Sequence, residues 1–360
     1  MSPGAGYHWR PMNRSGSTSR DARVALVGAG PIGIEMAVAL KRAGVDYLHF
    51  DAKQVGYTIS WFPHQTKFFS SNERIAIAGV PLQTADQSKA TREEYLAYLR
   101  SVVMQFDLKI NTYEPIIAIH RDPVDGTFCL TTHPAGGERT VRVEKLILAT
   151  GGTDHPRRLN IPGEDRPHVS HYFREVHPYF GKRLLIVGGK NSAVEAALRC
   201  HHAGARVALS YRREVLPEAS IKYWLLPEIK SYIKHGAIDG YFQTMPVAIE
   251  SDRVTLQRGN ERFDVPADFV LLLIGYEQDN KLFKLAGVEL RGDCAAPVYD
   301  EQTMETNVPG LYVAGTAVGG TQDKYRVFIE NCHVHVERIV NALTGATPPP
   351  APAELEQPES

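Results

Sequence analysis

Cysteine is scarce in this 360-residue chain: only Cys129, Cys200, Cys294 and Cys332 occur, with no CxxC pair and no regular framework. That argues against a disulfide-built secreted domain and makes the cytoplasm the expected compartment. No apolar run of membrane-spanning length appears, so no membrane partner is expected, and the opening segment lacks the apolar core of a signal peptide. A formal charge of -1 gives no electrostatic case for nucleic acid. No spacing of Cys, His, Asp or Glu suggests a metal site. What remains is 43% apolar and 22% charged, ample for two or three soluble domains. Residues 1–21, basic and small, and residues 346–360, rich in proline and acid, are expected to be disordered extensions of a body ending near Leu343 to Gly345.

Two glycine-rich turns, about 160 residues apart, carry the strongest signal. In each, an apolar strand runs into glycines and then a helix: Val24 to Val27 into GAGPIG (Gly28, Ala29, Gly30, Pro31, Ile32, Gly33), and Arg183 to Val187 into GGKNSA (Gly188, Gly189, Lys190, Asn191, Ser192, Ala193). One such turn binds one dinucleotide, so the chain is expected to bind two and to pass a hydride between them. The fold class that follows is α/β, with two Rossmann-like three-layer domains. The first turn leads to a helix over Ile32 to Ala43 and a strand over Asp46 to Phe50. Asp51, 23 residues after Gly28, stands where a carboxylate meets an adenosine ribose, with Ala52 beside it. Further expected elements are a helix over Thr91 to Val103, strands over Val141 to Leu148 followed by ATGG with Thr150 and Gly151, and the linker IPGEDRP (Ile161 to Pro167).

The second turn departs from the pattern, with Lys190 in the middle-glycine place, where it either crowds a pyrophosphate or pairs with it. After a helix over Ser192 to His202, the next strand, Arg206 to Tyr211, ends in Arg212 and Arg213, which favour the 2′-phosphate of NADPH through forked guanidinium bonds. Strand Phe269 to Ile274 and Gly275 close this insert. The chain then returns through PGLYVAG, with Gly315 and Thr316, where a strand meeting a helix can set a helix N-terminus beside a flavin. A last helix is expected over Lys324 to Leu343, with Phe328, Cys332, His335, Ile339 and Leu343 on its buried face. The first domain is therefore discontinuous: 22–165 and 279–345 for FAD, with 166–278 between them for NADPH. His64, Gln65, Thr66 and Phe69, in HQTKFFSSNE, are expected flavin contacts. His171 and His177 read as hydrogen-bonded linker histidines. Cys332 reads as a packed thiol, and is also the one cysteine placed as a candidate for catalysis.

The order GAGPIG, ATGG, GGKNSA, YRR and PGLYVAG resembles the low-molecular-weight thioredoxin-reductase architecture over about residues 22 to 345. Within that group, HQTKFFSS, GGKNSAVEAAL, SIKYWLLPE, GYEQDNKLFKLAGVEL, QTMETNVPGLYVAG and FIEN resemble the bacillithiol disulfide reductase (YpdA) family. The resemblance implies bound FAD, NADPH as donor, a homodimer, and reduction of a low-molecular-weight thiol disulfide. The chain departs from the wider pattern in three places. The region VSHYFREVHPYFGK has no CxxC, which leaves a dithiol relay to thioredoxin unsupported. Ile32 stands where bacillithiol-type members often have cysteine, and Thr316 where aspartate usually holds the ribityl chain. Electrons then pass to a disulfide directly from flavin or through Cys332. Two other readings stay open: an NADPH-dependent flavoprotein reductase or monooxygenase with a non-disulfide acceptor, and a non-catalytic FAD/NADPH redox sensor.

Overall fold

The computed structural model describes residues 20–322 and 326–345. The expected tails, apart from Arg20 and Asp21, lie outside the described residues, as do Lys324 and Tyr325 of the expected last helix. The first sheet is mixed and centred on strand Ala22–Val27, with Tyr47–Phe50 and Ile110–Asn111 stacked in parallel on one side. Strand Arg139–Leu148 lies on the other. That ten-residue strand serves two different neighbours. Its first half takes the antiparallel pair Phe128–Thr132 and Ile116–Arg121, and its second half takes Leu311–Val313 in parallel. The returning segment thus completes a sheet begun nearly 300 residues earlier, and the first unit is discontinuous.

Helix Pro31–Arg42 is buried on two sides, through Ile34, Met36, Ala37, Val38 and Leu40, because it lies between this sheet and helix His333–Thr344. The latter buries His335, Val336, Ile339 and Leu343, the spacing of one helical face. Helix Arg92–Gln105 starts at a capping box: Thr91 Oγ1 accepts from Glu94 N at 3.3 Å while Glu94 Oε2 accepts from Thr91 N at 2.8 Å.

The second sheet is wholly parallel, in the spatial order Asp239–Phe242, Arg206–Tyr211, Arg183–Val187, Phe269–Leu272, Val169–Ser170. The run Leu184 to Val187 is continuously apolar because both faces are covered. Leu184 and Ile186 point to helices Asn191–His202 and Leu226–Lys234, while Leu185 and Val187 point to an antiparallel meander of Met245–Ile249, Arg253–Arg258 and Glu261–Pro266. The chain crosses between the two sheets twice, and the crossings pair as a short antiparallel ribbon, His155–Pro156 with Tyr276–Glu277.

Three expectations need correction. The last helix starts at His333, not Lys324; residues 326–328 are irregular and Ile329–Asn331 form a single 3-10 turn. Asn331 accounts for this, since its Oδ1 accepts from Phe328 N at 2.8 Å and its amide donates to Arg326 O at 2.8 Å, satisfying backbone groups outside a helix. The segment after PGLYVA is a five-residue 3-10 helix, Gly315–Gly319, stopped at Gly320, so no long helix begins there to present a strong dipole. Strand Phe269–Leu272 ends two residues early, as the chain enters the crossing ribbon.

Candidate functional site at the ends of two parallel sheets

The first glycine turn lies at the carboxyl end of Ala22–Val27. Gly28 has φ +106, and a Cβ there would sit 2.3 Å from Ala149 O. A Cβ on Gly33 would sit 1.9 Å from Gly28 O, so that glycine lets the helix pack against the turn. Gly30 differs: a Cβ on it would meet nothing within 4 Å. Its face is an open cradle at a helix start that has no side-chain cap, with Pro31 in the first turn. Such a start presents free N–H groups and a positive dipole end to an anion. Asp51 follows strand Tyr47–Phe50 and closes the other side; its carboxylate accepts from Ala29 N at 2.6 Å and Lys53 N at 2.7 Å. Burial raises the Asp51 pKa against the lowering effect of these two bonds. Ala52 is exposed beside it.

A second cluster meets this turn from the ends of Arg139–Leu148 and Leu311–Val313. Gly315 lies against Ile32, whose Cβ is 3.3 Å from where a Gly315 Cβ would be. Thr316 Oγ1 accepts from Gly152 N at 2.9 Å, which leaves the hydroxyl proton free to donate. Thr150 Oγ1 is buried with no partner among the described residues. Gln278 Nε2 donates to Ala317 O at 2.9 Å and to Gly151 O at 3.2 Å, joining the two segments. An open cradle, an orphaned hydroxyl and an uncapped helix start fit the phosphates and ribityl hydroxyls of a dinucleotide. Two histidines lie beneath this cluster: His49, which escaped sequence reasoning, and His335, which was expected on a buried helix face but not at the site. His49 Nε2 donates to Gly28 O at 2.8 Å, and His335 Nδ1 accepts from Gly315 N at 3.2 Å. Burial pushes each down to about 4. A polar residue inside the otherwise apolar strand YLHF was the available signal for His49.

The second turn repeats the design at the end of Arg183–Val187. Gly188, at φ +145, has no room for a side chain, since a Cβ would meet Leu273 O at 2.4 Å. A Cβ on Gly189 would enter the Tyr211 ring at 2.4 Å. Lys190 is the exposed N-cap of helix Asn191–His202. Asn191 Oδ1 accepts from Lys222 N at 2.8 Å, Ser192 is exposed, and Ala193 packs under Gly188. Arg212 and Arg213 are exposed beyond Arg206–Tyr211, with no ion pair among the described residues. Gly275 stands two residues beyond Leu273, the neighbour of Gly188, and just before the crossing ribbon, where its carbonyl accepts from Arg157 N at 3.0 Å.

The loop holding His64, Gln65, Thr66 and Phe69 is tied to the second unit. His64 N donates to Arg174 O at 2.7 Å, and Arg199 donates to His64 O at 2.6 Å and Thr66 Oγ1 at 3.0 Å. Gln65 is held in the first unit by Glu93, and Phe69 lies 6.0 Å from Trp224. This seam therefore joins the two units, with Lys222, Trp224 and Glu195 from the second that sequence reasoning did not single out as site residues. His171 Nε2 donates to Glu164 Oε1 at 2.9 Å, and the same carboxylate accepts from Leu159 N and Asn160 N. His177 opens a 3-10 turn at the surface.

All four cysteines are free thiols. Cys332 is fully buried and burial holds its thiol far above the ordinary range, so it offers little thiolate. Burial pushes Cys200 up to about 12. No cluster of three metal-binding side chains occurs among the described residues, and none of their helices is long and apolar enough to cross a membrane.

Residues 25–315 match the pyridine nucleotide-disulphide oxidoreductase family. The chain is 36% identical to the bacilliredoxin reductase Bdr of Bacillus subtilis, over 86% of this chain and 94% of that one. The chain belongs to the Bdr (YpdA) family. Its structure is similar to the bacillithiol disulfide reductase Bdr of Bacillus cereus, with a TM-score of 0.85, 32% identity and coverage of 90% of this chain and 99% of that chain. The Staphylococcus aureus Bdr structure gives 0.84, 33%, 91% and 99%. Membership of the Bdr family makes the chain a flavin-dependent oxidoreductase on a thioredoxin-reductase-like fold.

Proposed function

We propose that this Bdr-family protein reduces a low-molecular-weight thiol disulfide, of the bacillithiol disulfide kind, with NADPH as donor and FAD as resident cofactor. The balance is NADPH + H⁺ + RSSR → NADP⁺ + 2 RSH. Bound FAD supplies a two-electron carrier between the nicotinamide and the disulfide. The observation that carries the reading is the presence of two glycine turns, each at the end of a central parallel strand of its own sheet, in two units joined by a two-stranded crossing ribbon.

Gly28, Gly30, Pro31, Ile32 and Gly33 would hold the FAD pyrophosphate, and Asp51 the adenosine ribose, once its carboxylate turns from Ala29 N. Thr150, Gly151, Gly315 and Thr316 would line the ribityl chain. Gly188 to Ala193 would hold the NADPH pyrophosphate and Arg212 and Arg213 its 2′-phosphate. The ribbon at Pro156 and Tyr276 is where one unit turns relative to the other. With Ile32 in the loop and Cys332 enclosed, the disulfide receives electrons without an enzyme thiol. Four free cysteines accord with a reducing cytoplasm, and the family resemblance with a homodimer.

The test is anaerobic reduction of the purified yellow protein by NADPH, followed by small disulfides, quinones, ferredoxin and oxygen in turn. Reoxidation by a small disulfide is expected. Reoxidation only by oxygen or one-electron carriers would hand the protein to the monooxygenase or ferredoxin-type reading, and no reoxidation by any acceptor to the sensor reading.

A further inference from the structure

The loop from His64 to Phe69 is fastened to the first unit by its backbone. Thr66 O accepts from Arg92 N at 2.8 Å and Phe68 N donates to Ala90 O at 2.9 Å, beside the start of helix Arg92–Gln105. Gln65 sits at φ +59, left-handed for a residue that is not glycine, and its N–H donates to Glu93 Oε2 at 3.1 Å. Such a conformation persists only where the surroundings fix it. Onto this loop closes one face of helix Asn191–His202, through Glu195 and Arg199, one turn apart. Arg199 Nη1 donates to Thr66 Oγ1 at 3.0 Å, Thr66 Oγ1 donates to Glu195 Oε1 at 3.4 Å, and that oxygen lies 3.5 Å from Arg199 Nη1. Arg199 Nη2 donates to His64 O at 2.6 Å, and the guanidinium covers the buried Phe173 ring at 5.3 Å.

The same helix begins at the second glycine turn. At 1.5 Å of rise per residue, Lys190 lies about 13 Å along the axis from Arg199, so a tilt of about 10° at this contact carries the turn about 2 Å. Hydride transfer tolerates less, since reacting atoms must stand about 3–3.5 Å apart and 1 Å of misplacement costs about a hundredfold. The crossing ribbon joins the units through two strands of two residues each, which leaves the angle about it open. A second point of fixation sets that angle, and the charged, two-armed contact of Arg199 with a rigid loop provides it. We infer that Arg199, braced by Glu195 and closing on His64 and Thr66, is a positioning residue that holds the second glycine turn at the angle from which a nicotinamide reaches the flavin. This rests on the reading of the two turns as flavin and nicotinamide sites, and it adds the residue that aligns them.

The experiment uses the full-length FAD-loaded protein as wild type, Arg199→Met and Arg199→Lys. Anaerobic stopped-flow bleaching of the flavin by NADPH and by NADH gives the limiting rate of reduction and the donor Kd separately, and needs no disulfide. Hydrogen exchange of the oxidised protein without donor reports the seam itself, through the His64 N–H that donates to Arg174 O at 2.7 Å. Arg199→Met should slow limiting reduction about tenfold or more, leave the donor Kd within about twofold, and speed exchange at His64 about tenfold. Arg199→Lys, which keeps the charge and one arm, should fall between the two, and decides alone if the methionine variant does not fold. An unchanged or faster limiting rate overturns the role even where exchange speeds up, because Arg199 is then only a contact between units. Slowing that lies wholly in the donor Kd overturns it as well. Slowing seen with NADH, while NADPH reduces none of the three proteins, supports the positioning role and sinks the NADPH reading instead.

Discussion

The backbone N–H of Gly315 donates to Nδ1 of His335 across 3.2 Å, inside the core. The imidazole must be neutral to accept that bond, and burial, which pushes its pKa down to about 4, keeps it so. His49 beneath Gly28 is held to about 4 by the same cause. In the unfolded chain both return to about 6.5. Their cost is absent above that value and grows as pH falls toward 4, at about 1.4 kcal/mol per pH unit for each histidine. His333 runs the other way: burial opposes its charge, but Glu35, bonded at 2.7 Å, raises its pKa. Its contribution is complete below the unfolded value and fades as pH rises through the folded one. Two groups outweigh one, so the urea midpoint is expected to drop from pH 7 to pH 5. His335→Gln, which keeps an acceptor without titrating, should flatten that decline, and an unchanged slope would remove His335 from the account.

Gly30 and Gly33 separate a ligand role from a folding role. A Cβ on Gly30 enters open space, so Gly30→Ala should leave the unfolding free energy of the FAD-free protein within about 0.5 kcal/mol while weakening FAD retention tenfold or more. A Cβ on Gly33 would meet Gly28 O at 1.9 Å, and Gly33→Ala should cost several kcal/mol and yield little soluble protein. Equal loss of fold in both variants would mean that the open face of Gly30 is not a cofactor cradle.

How much of this could be read from sequence depended on how local the cause was. The two strand-turn-helix units were legible because Leu184 to Val187 is apolar without interruption and the glycines follow at once. The start of the last helix was not, because the spacing of Phe328, Cys332 and His335 mimics a helical face across a turn that Asn331 has already broken. The antiparallel strands from Ile116 to Thr132 and from Met245 to Pro266 were missed, since short strands with mixed polar faces give weak alternation. The seam was least legible of all. Lys222 and Phe69 are far apart in sequence, and their meeting is a product of tertiary packing.

Arg212 and Arg213 sit exposed at the end of a strand that follows the second glycine turn by one helix. If they grip a 2′-phosphate, the double change to alanine should raise the KM for NADPH by about tenfold to a hundredfold, the scale of one or two charged hydrogen bonds, and barely alter that for NADH. Steady-state kinetics with both donors decides it. Equal effects on the two would place the 2′-phosphate elsewhere.

Thiol reactivity should divide the four cysteines by burial. Cys129 and Cys294 are partly exposed, while Cys200 and Cys332 are buried with thiols that burial holds above their ordinary range. Mass spectrometry after brief treatment of the native protein with iodoacetamide should find label on the first pair and little on the second. Cys332→Ser should also leave reduction of the flavin by NADPH intact, at a stability cost of about 1–3 kcal/mol for the buried hydroxyl. Rapid labelling of Cys332, or loss of that half-reaction, would reinstate it as a redox residue.

Ile32 provides the sharpest test of a route without an enzyme thiol. It lies in the first turn of Pro31–Arg42, is 5% exposed, and presses on Gly315. Cysteine fits that space, loses about 1 kcal/mol of packing, and gains the acidifying field of a helix start. If thiol chemistry at this place accelerates transfer, Ile32→Cys should raise kcat with small disulfides while leaving ferricyanide reduction unchanged. A gain confined to disulfides would show that the wild-type chain sends electrons by the slower direct path. Equal rates would show instead that a thiol at this place confers no advantage and that disulfide turnover is limited by another step, such as rotation of the units about the ribbon.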